Sequence, residues 1–269
     1  MTVEEKPEKM VEHIRKYGVY HAWGEERNKN LFEDIGCPAD KKAEYVLLGG
    51  CMPPLDTPWI FSALKNFLDH YGVSYTFLSK EYCCGWRPLV QPAVMAKKDE
   101  ERIKQLKWVV EEFLKENINQ AKKLKAKAIV TICAPCEPNY QNLKESAGIE
   151  IMHYPELLAR YFEGGKLNLK ADYYPGCYRF RRRITQIPFN YGIAENLLSR
   201  IEGLELNRLD EKLCCYVPPQ AEELVNNIKY STVVTTCTGC RSSLEKKLSG
   251  KDQYQVKLLP EIVWESLRK

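Results

Sequence analysis

The sequence predicts an α/β fold of two duplicated domains. Each is a small parallel sheet flanked by helices, with cysteines at the strand ends, and a helical N-terminal extension precedes the pair. Three observations lead there. Ten of the eleven cysteines fall into two sets with one order: a lone cysteine, an adjacent pair, then C-x-x-C. Short β-branched or apolar runs alternate with stretches of helical periodicity, which is the pattern of a parallel sheet with crossover helices. After each C-x-x-C comes a short strand and then a helix opened by Pro-Glu, at Pro155–Glu156 and at Pro260–Glu261. Proline suits a first helical turn, and an acidic neighbour complements the exposed N–H groups there.

Taken in order, residues 1–42 read as a polar extension, helical over Glu4–Lys16 and then a loop through Gly36–Pro38. The first domain spans 43–168. Its opening strand, AEYVLLGG, runs into Cys51. A helix over Trp59–Tyr71 follows, with Phe61, Leu64, Phe67 and Leu68 at helical spacing, then a strand at Val73–Leu78 leading to Cys83–Cys84. A long helix over Asp99–Leu124 presents Ile103, Leu106, Val109, Val110 and Phe113 on one face. The strand AIVTI then reaches Cys133 and Cys136. The second domain, 169–269, repeats this order in shorter form. ADYYPG runs into Cys177, the pair is Cys214–Cys215, and STVVTT runs into Cys237 and Cys240. In parallel sheets, ligands bind beyond the carboxyl ends of the strands. The order therefore gathers five thiols at one rim of each domain.

Charge and composition narrow the function classes. With 40 basic and 36 acidic residues intermingled, the net charge of +4 does not make the concentrated basic face of a nucleic-acid binder. No run approaches the roughly 20 apolar residues of a membrane span, and the charged start MTVEEKPEKM lacks a secretory core, so a cytoplasmic location is expected. In that reducing compartment, clustered cysteines are metal ligands or redox groups before they are structural disulfides. No G-x-G-x-x-G and no P-loop is present, so flavin, nicotinamide or ATP chemistry is expected of another subunit.

Thiolates are soft ligands that favour zinc, copper(I) or iron–sulfur clusters. A structural zinc takes four ligands, usually from two C-x-x-C-like hooks. Five cysteines, two of them adjacent, fit that poorly, whereas adjacent thiolates can reach two irons of one cluster. The dispersed spacing is also unlike a ferredoxin loop, which points to an unusual cluster.

Cys83-Cys84-Gly85, with Cys51 upstream and Cys133/Cys136 downstream, resembles the cysteine-rich CCG domain. Two in tandem resemble the B-type family of heterodisulfide reductase subunits, which includes heterodisulfide reductase-like proteins of sulfur-oxidation complexes. The resemblance covers about residues 43–269. It implies an oxidoreductase subunit acting on sulfur groups, with two iron–sulfur clusters of the non-cubane [4Fe–4S] type. Cys51, Cys83, Cys84, Cys133 and Cys136 would ligate one cluster. Cys177, Cys214, Cys215, Cys237 and Cys240 would ligate the other. It further implies a ferredoxin-like iron–sulfur subunit and a flavin-containing subunit as partners, with a disulfide or a sulfur-carrier protein as substrate. No particular residue is marked as catalytic. The competing expectation is a non-catalytic electron-transfer or assembly subunit with one cluster and one structural zinc.

The two sets differ. The second pair is followed by Tyr216 where the first has Gly85, and 21 residues separate Cys215 from Cys237 against 48 between Cys84 and Cys133. Zinc therefore stays open for the second site. Cys37 lies outside both sets, and His13, His21, His70 and His153 share no ligand spacing, so each reads as an ordinary surface or core histidine. Trp86 and Arg87 either line the first site or pack its loop. The cluster Arg179, Arg181, Arg182 and Arg183 is either a solvated face or a site for an anion or an acidic partner.

Overall fold

The computed structural model describes residues 5–97, 99–250 and 253–268. Helix α1 (Glu5–Tyr17) comes first, and then α2 (Gly24–Asn28), which continues as a π-helical turn over Lys29–Asp34. Sequence periodicity predicts a loop here. No apolar repeat marks this short helix, because tertiary bonds made by Arg27, Asn28 and Asn30 support it. The chain proceeds through β1 (Tyr45–Leu48), α3 (Pro53–Asp56), α4 (Trp59–His70) and β2 (Tyr75–Phe77). After a π-helical turn at Trp86–Val90 come α5 (Gln91–Met95), α6 (Glu100–Lys123), β3 (Ala128–Thr131), α7 (Cys136–Gln141), β4 (Glu150–His153) and α8 (Tyr154–Tyr161). The second half comprises β5 (Gly165–Tyr174), α9 (Gly192–Ser199), β6 (Ile201–Arg208), α10 (Pro218–Asn226), β7 (Thr232–Thr235), α11 (Thr238–Leu248), β8 (Gln255–Leu258) and α12 (Leu259–Leu267).

The two sheets share one topology, β2-β1-β3-β4 and β6-β5-β7-β8, and their strands run parallel. The α/β expectation is met, and the duplication holds strand for strand. The Pro-Glu signal works as its chemistry predicts. The Glu156 carboxylate accepts from the His153 backbone N–H at 3.0 Å, and Glu261 accepts from Leu258 N–H at 2.8 Å, so the same glutamate cap closes the matching helix start in each half. Helix α6 is capped by Asp99, which accepts from Arg102 N–H at 2.7 Å, and it buries Leu106, Val110, Phe113, Leu114, Ile118 and Ala121. Ile103 and Val109 lie at the edge of that stripe and are half-buried.

Strands β5 and β6 begin earlier than the apolar pattern suggests. Residues Gly165–Lys170 alternate between half-buried and exposed, and so form a strand with one wetted face.

The chain divides into two compact units. One holds the residues up to Leu55 together with Ser74–Met152, and the other holds Asp56–Val73 together with the chain from His153 onward. Helices α4 and α8, whose sequences precede residue 169, thus belong to the unit of the second sheet. There α4 packs along α12, with His70 and Trp264 edge-to-face at 6.0 Å, and Phe67 meets Phe162 at 6.5 Å. No helix among the described residues is long and apolar enough to cross a membrane.

Candidate metal centres

The first set forms where the C-terminal ends of β1 and β3 meet the loop after β2. Gly50 has φ +79°, and a Cβ there would stand 2.6 Å from Cys133 Cβ. Only glycine lets the β1 turn approach the C-x-x-C so closely. The Sγ atoms of Cys83 and Cys51 are 3.5 Å apart. Thiol hydrogen bonds continue from Cys83 to Cys84, from Cys84 to Cys136 and from Cys136 to Cys133, so all five sulfurs form one connected group. The bonds to Cys51 and Cys84, together with burial, hold the Cys83 thiol well above its ordinary pKa. Cys84 receives bonds from Cys136 and Cys83 and is drawn well below the usual value.

The loop carrying this pair is held from both sides. Asn117 on α6 accepts from Tyr82 N–H at 2.8 Å and donates to Tyr82 O and Tyr140 Oη, each at 2.7 Å. Glu81 is buried, accepts from Gly49 and Gly50 N–H at 2.9 and 2.7 Å, and pairs with Arg27 at 2.6 Å. Gly85 has φ +66°, and its missing side chain makes room for Val110. Trp86 is buried and packs the loop, while Arg87 is exposed.

The second set repeats the arrangement with other supports. Thiol bonds link Cys177 to Cys214, Cys215 to Cys240 and Cys240 to Cys237. Burial pushes the Cys177 thiol up to about 12. Gly176, φ +91°, takes the place of Gly50 and brings its turn against Cys237. Ser243 donates to Cys215 O at 2.8 Å, Gln220 accepts from Cys214 N–H at 3.1 Å, and Tyr174 Oη donates to Leu213 O at 2.5 Å.

The glycine-to-tyrosine difference has a backbone cause. Val217 N–H donates to Cys214 O at 3.2 Å, closing a turn in which Tyr216 does not take the left-handed conformation of Gly85. No glycine is needed, and the exposed Tyr216 instead donates to Gly239 O at 3.0 Å across the C-x-x-C. The strain lies elsewhere, at Tyr178. Directly after Cys177 it adopts φ +42°, held by a hydroxyl contact to Thr236 at 3.1 Å and a stack on Phe189 at 3.8 Å. Left-handed backbone in such a bulky residue persists only where its surroundings over-determine it.

In both sets the lone cysteine is the half-exposed member, and the other four are buried. Among the described residues, no group of three or more His, Cys, Asp or Glu is arranged to hold a single metal ion. The donor chemistry fits a thiolate-ligated group, since buried thiolates need a metal's positive charge in place of their protons. A cavity of about 510 Å³ near Trp59, Arg241 and Tyr254 has no cysteine in its lining.

Residues 45–140 match the family model of the cysteine-rich CCG domain. The match takes in the first set whole. The second set lies outside it but carries the CCG order of cysteines on the same strand topology. The chain is similar to an EtfAB:quinone oxidoreductase of Syntrophomonas wolfei, 25% identical over 207 residues, which are 72% of this chain and 26% of that protein. It thus spans about a quarter of that relative's length. Among solved structures, a glutamate racemase isoform from Bacillus anthracis overlaps 85% of this chain and 79% of its own at 12% identity and TM-score 0.34. An aspartate racemase homologue from Pyrococcus horikoshii overlaps 83% and 96% at 12% identity and TM-score 0.34. Overlap at that level carries no argument about this chain.

Beyond the CCG cysteines, the structure brings in residues that spacing does not flag. Asn117 had a signal, as a polar residue within the apolar stripe of α6. Arg27, Glu81 and Tyr178 had none. His21, read from the sequence as ordinary, donates through Nε2 to Cys51 O at 3.0 Å. Cys37 is buried apart, its N–H bonded to Leu31 O at 2.9 Å. Of the arginine cluster, Arg181 is buried and donates to Ile187 O at 2.8 Å, Arg179 donates to Lys212 O at 2.6 Å, and Arg182 and Arg183 are exposed.

Proposed function

We propose that the chain is an iron–sulfur redox subunit in which Cys51, Cys83, Cys84, Cys133 and Cys136 hold one cluster and Cys177, Cys214, Cys215, Cys237 and Cys240 hold another. The observation that carries the reading is the gathering of five thiols at the carboxyl rim of each sheet, linked through all five in the first set and as a pair and a trio in the second. When bound, such a group supplies single electrons at a site lined by sulfur. The finer reading is chemistry on an S–S bond: a disulfide plus two electrons and two protons gives two thiols, and the reverse step releases them. The electrons come from or pass to a ferredoxin-like or flavin-containing partner within a multi-subunit assembly.

This chain's residues serve that chemistry by position. Four buried cysteines keep water from each centre, while the half-exposed Cys51 and Cys177 mark the edge open to an incoming sulfur. The backbone clamps of Glu81 and Asn117, and of Ser243 and Gln220, fix the adjacent pairs. Pre-set ligand geometry limits reorganisation on electron transfer.

A second reading is a relay without substrate chemistry. It is favoured by the similarity to a protein whose name pairs EtfAB with quinone. Anaerobic analysis of iron, acid-labile sulfide and zinc tests the common part. About eight irons per chain accord with two four-iron clusters, and two zincs without sulfide would exclude them. Adding a disulfide or persulfide to the oxidised protein separates the readings. A changed paramagnetic signal favours S–S chemistry, and an unchanged one favours the relay.

A further inference from the structure

The N-terminal segment stands outside the duplication, yet it reaches the backbone on two sides of the first thiol set. Arg27 is 1% exposed. Its Nε donates to Gly50 O at 3.0 Å, its Nη2 to Glu81 at 2.6 Å and its Nη1 to Asn28 at 2.8 Å. Glu81 in turn accepts from Gly49 and Gly50. The turn before Cys51 is therefore held at both N–H groups and one carbonyl by a single buried ion pair. His21 extends the hold to Cys51 itself. Trp23 N–H donates to its Nδ1 at 3.2 Å, which leaves Nε2–H to donate to Cys51 O at 3.0 Å. On the other side, Cys83 N–H donates to Gly18 O at 2.6 Å. Gly18 has φ +81°, and a Cβ there would stand 2.5 Å from Glu81 O, so the two backbones meet directly.

The lone-cysteine turn of the second set is held differently. Its Pro175 O accepts from the neutral Thr236 hydroxyl at 2.8 Å, a bond made within the domain's own C-x-x-C approach.

We infer that the segment from Gly18 to Leu31 is a component of the first metal centre, with Arg27 and His21 as positioning residues for Cys51. The first set thus retains its metal only while this segment is docked, and the second set is independent of it. This rests on the reading that the thiol sets hold iron–sulfur clusters. Groups that orient metal ligands through hydrogen bonds typically govern affinity about 10- to 100-fold.

The test uses the full chain with Cys237→Ala and Cys240→Ala, so that only the first set reports. Arg27→Met, Arg27→Lys and His21→Phe are compared with this parent after anaerobic reconstitution with iron(II) and sulfide. The readouts are iron retained against a chelator titration, the cluster's paramagnetic signal and far-UV circular dichroism. Arg27→Met is expected to weaken retention about 10- to 100-fold. Arg27→Lys keeps the charge beside Glu81 but not the fork that also reaches Gly50 O and Asn28, so it should recover part of the loss, a rescue that a general packing role would not show. His21→Phe should alter the signal and weaken retention while preserving the helical spectrum. Retention and signal equal to the parent's in both Arg27→Met and His21→Phe would overturn the inference. If Arg27→Met fails to fold, unchanged behaviour of His21→Phe overturns it alone. A parent that binds no iron defeats the cluster reading itself, a different and distinguishable failure.

Discussion

Replacing Gly50 by alanine makes two demands on the turn before Cys51, and their sizes can be separated. At φ +79°, an L-residue costs about 1–2 kcal/mol from the crowding of Cβ against the following carbonyl. The new Cβ would also stand 2.6 Å from Cys133 Cβ and 3.2 Å from Cys133 Sγ, so β1 and the C-x-x-C must move apart. Overpacking of this kind costs about 1–3 kcal/mol, and the two terms together come to about 2–5 kcal/mol. Gly148→Ala is the control in the same unit. Gly148 has φ +60°, but its nearest neighbour is the flexible end of Lys122 at 3.2 Å, so it incurs only the backbone cost of about 1–2 kcal/mol. Native-state hydrogen exchange on the β1 and β3 amides, with thiols reduced and metal absent, reads the difference locally. Gly50→Ala should lower protection there by about 1–3 kcal/mol more than Gly148→Ala. Equal effects would refute the argument that glycine is required for the approach to Cys133.

Three further outcomes are expected. Burial, with Arg181 nearby, depresses the His153 pKa from 6.5 to about 3. Its contribution is therefore complete above the unfolded value near 6.5 and is lost as pH falls from there toward 3, since only the unfolded chain takes the proton. His153→Leu should remove up to about 1.4 kcal/mol per pH unit of slope in that window, measured by denaturant unfolding, and an unchanged slope would contradict it. A fragment of residues 169–269 lacks α4 and α8, leaving α12 without the helix that packs along it. It should give a collapsed, poorly dispersed NMR spectrum, and a sharp, native-like one would show that those helices are dispensable. Tyr216→Phe deletes the bond to Gly239 O and should cost about 0.5–1.5 kcal/mol in the second unit by thermal unfolding. A loss above about 3 kcal/mol would mean that the hydroxyl does more than bridge the turn and the C-x-x-C.

Features that repeat or recur at fixed spacing could be read from the residues alone. The ten cysteines were legible because two copies of one order stand in a single chain. Helices α4 and α6 were legible from apolar residues three and four apart, and the starts of α8 and α12 from Pro-Glu. Each of these rests on local chemistry that needs no distant partner. The tertiary structure decided what depends on residues far apart in sequence. Arg27 and Glu81 are 54 positions apart and meet as a buried ion pair at 2.6 Å, a contact no local pattern announces. The helical character of residues 24–34 follows from those contacts. So does the allotment of α4 and α8 to the second unit, since an amphipathic helix records only that it has an apolar face and not which sheet or helix will cover it. Tyr216 could replace glycine because the turn around it closes without a left-handed residue, while the strain sits at Tyr178. Residue identity alone does not disclose φ; the packing on either side sets it.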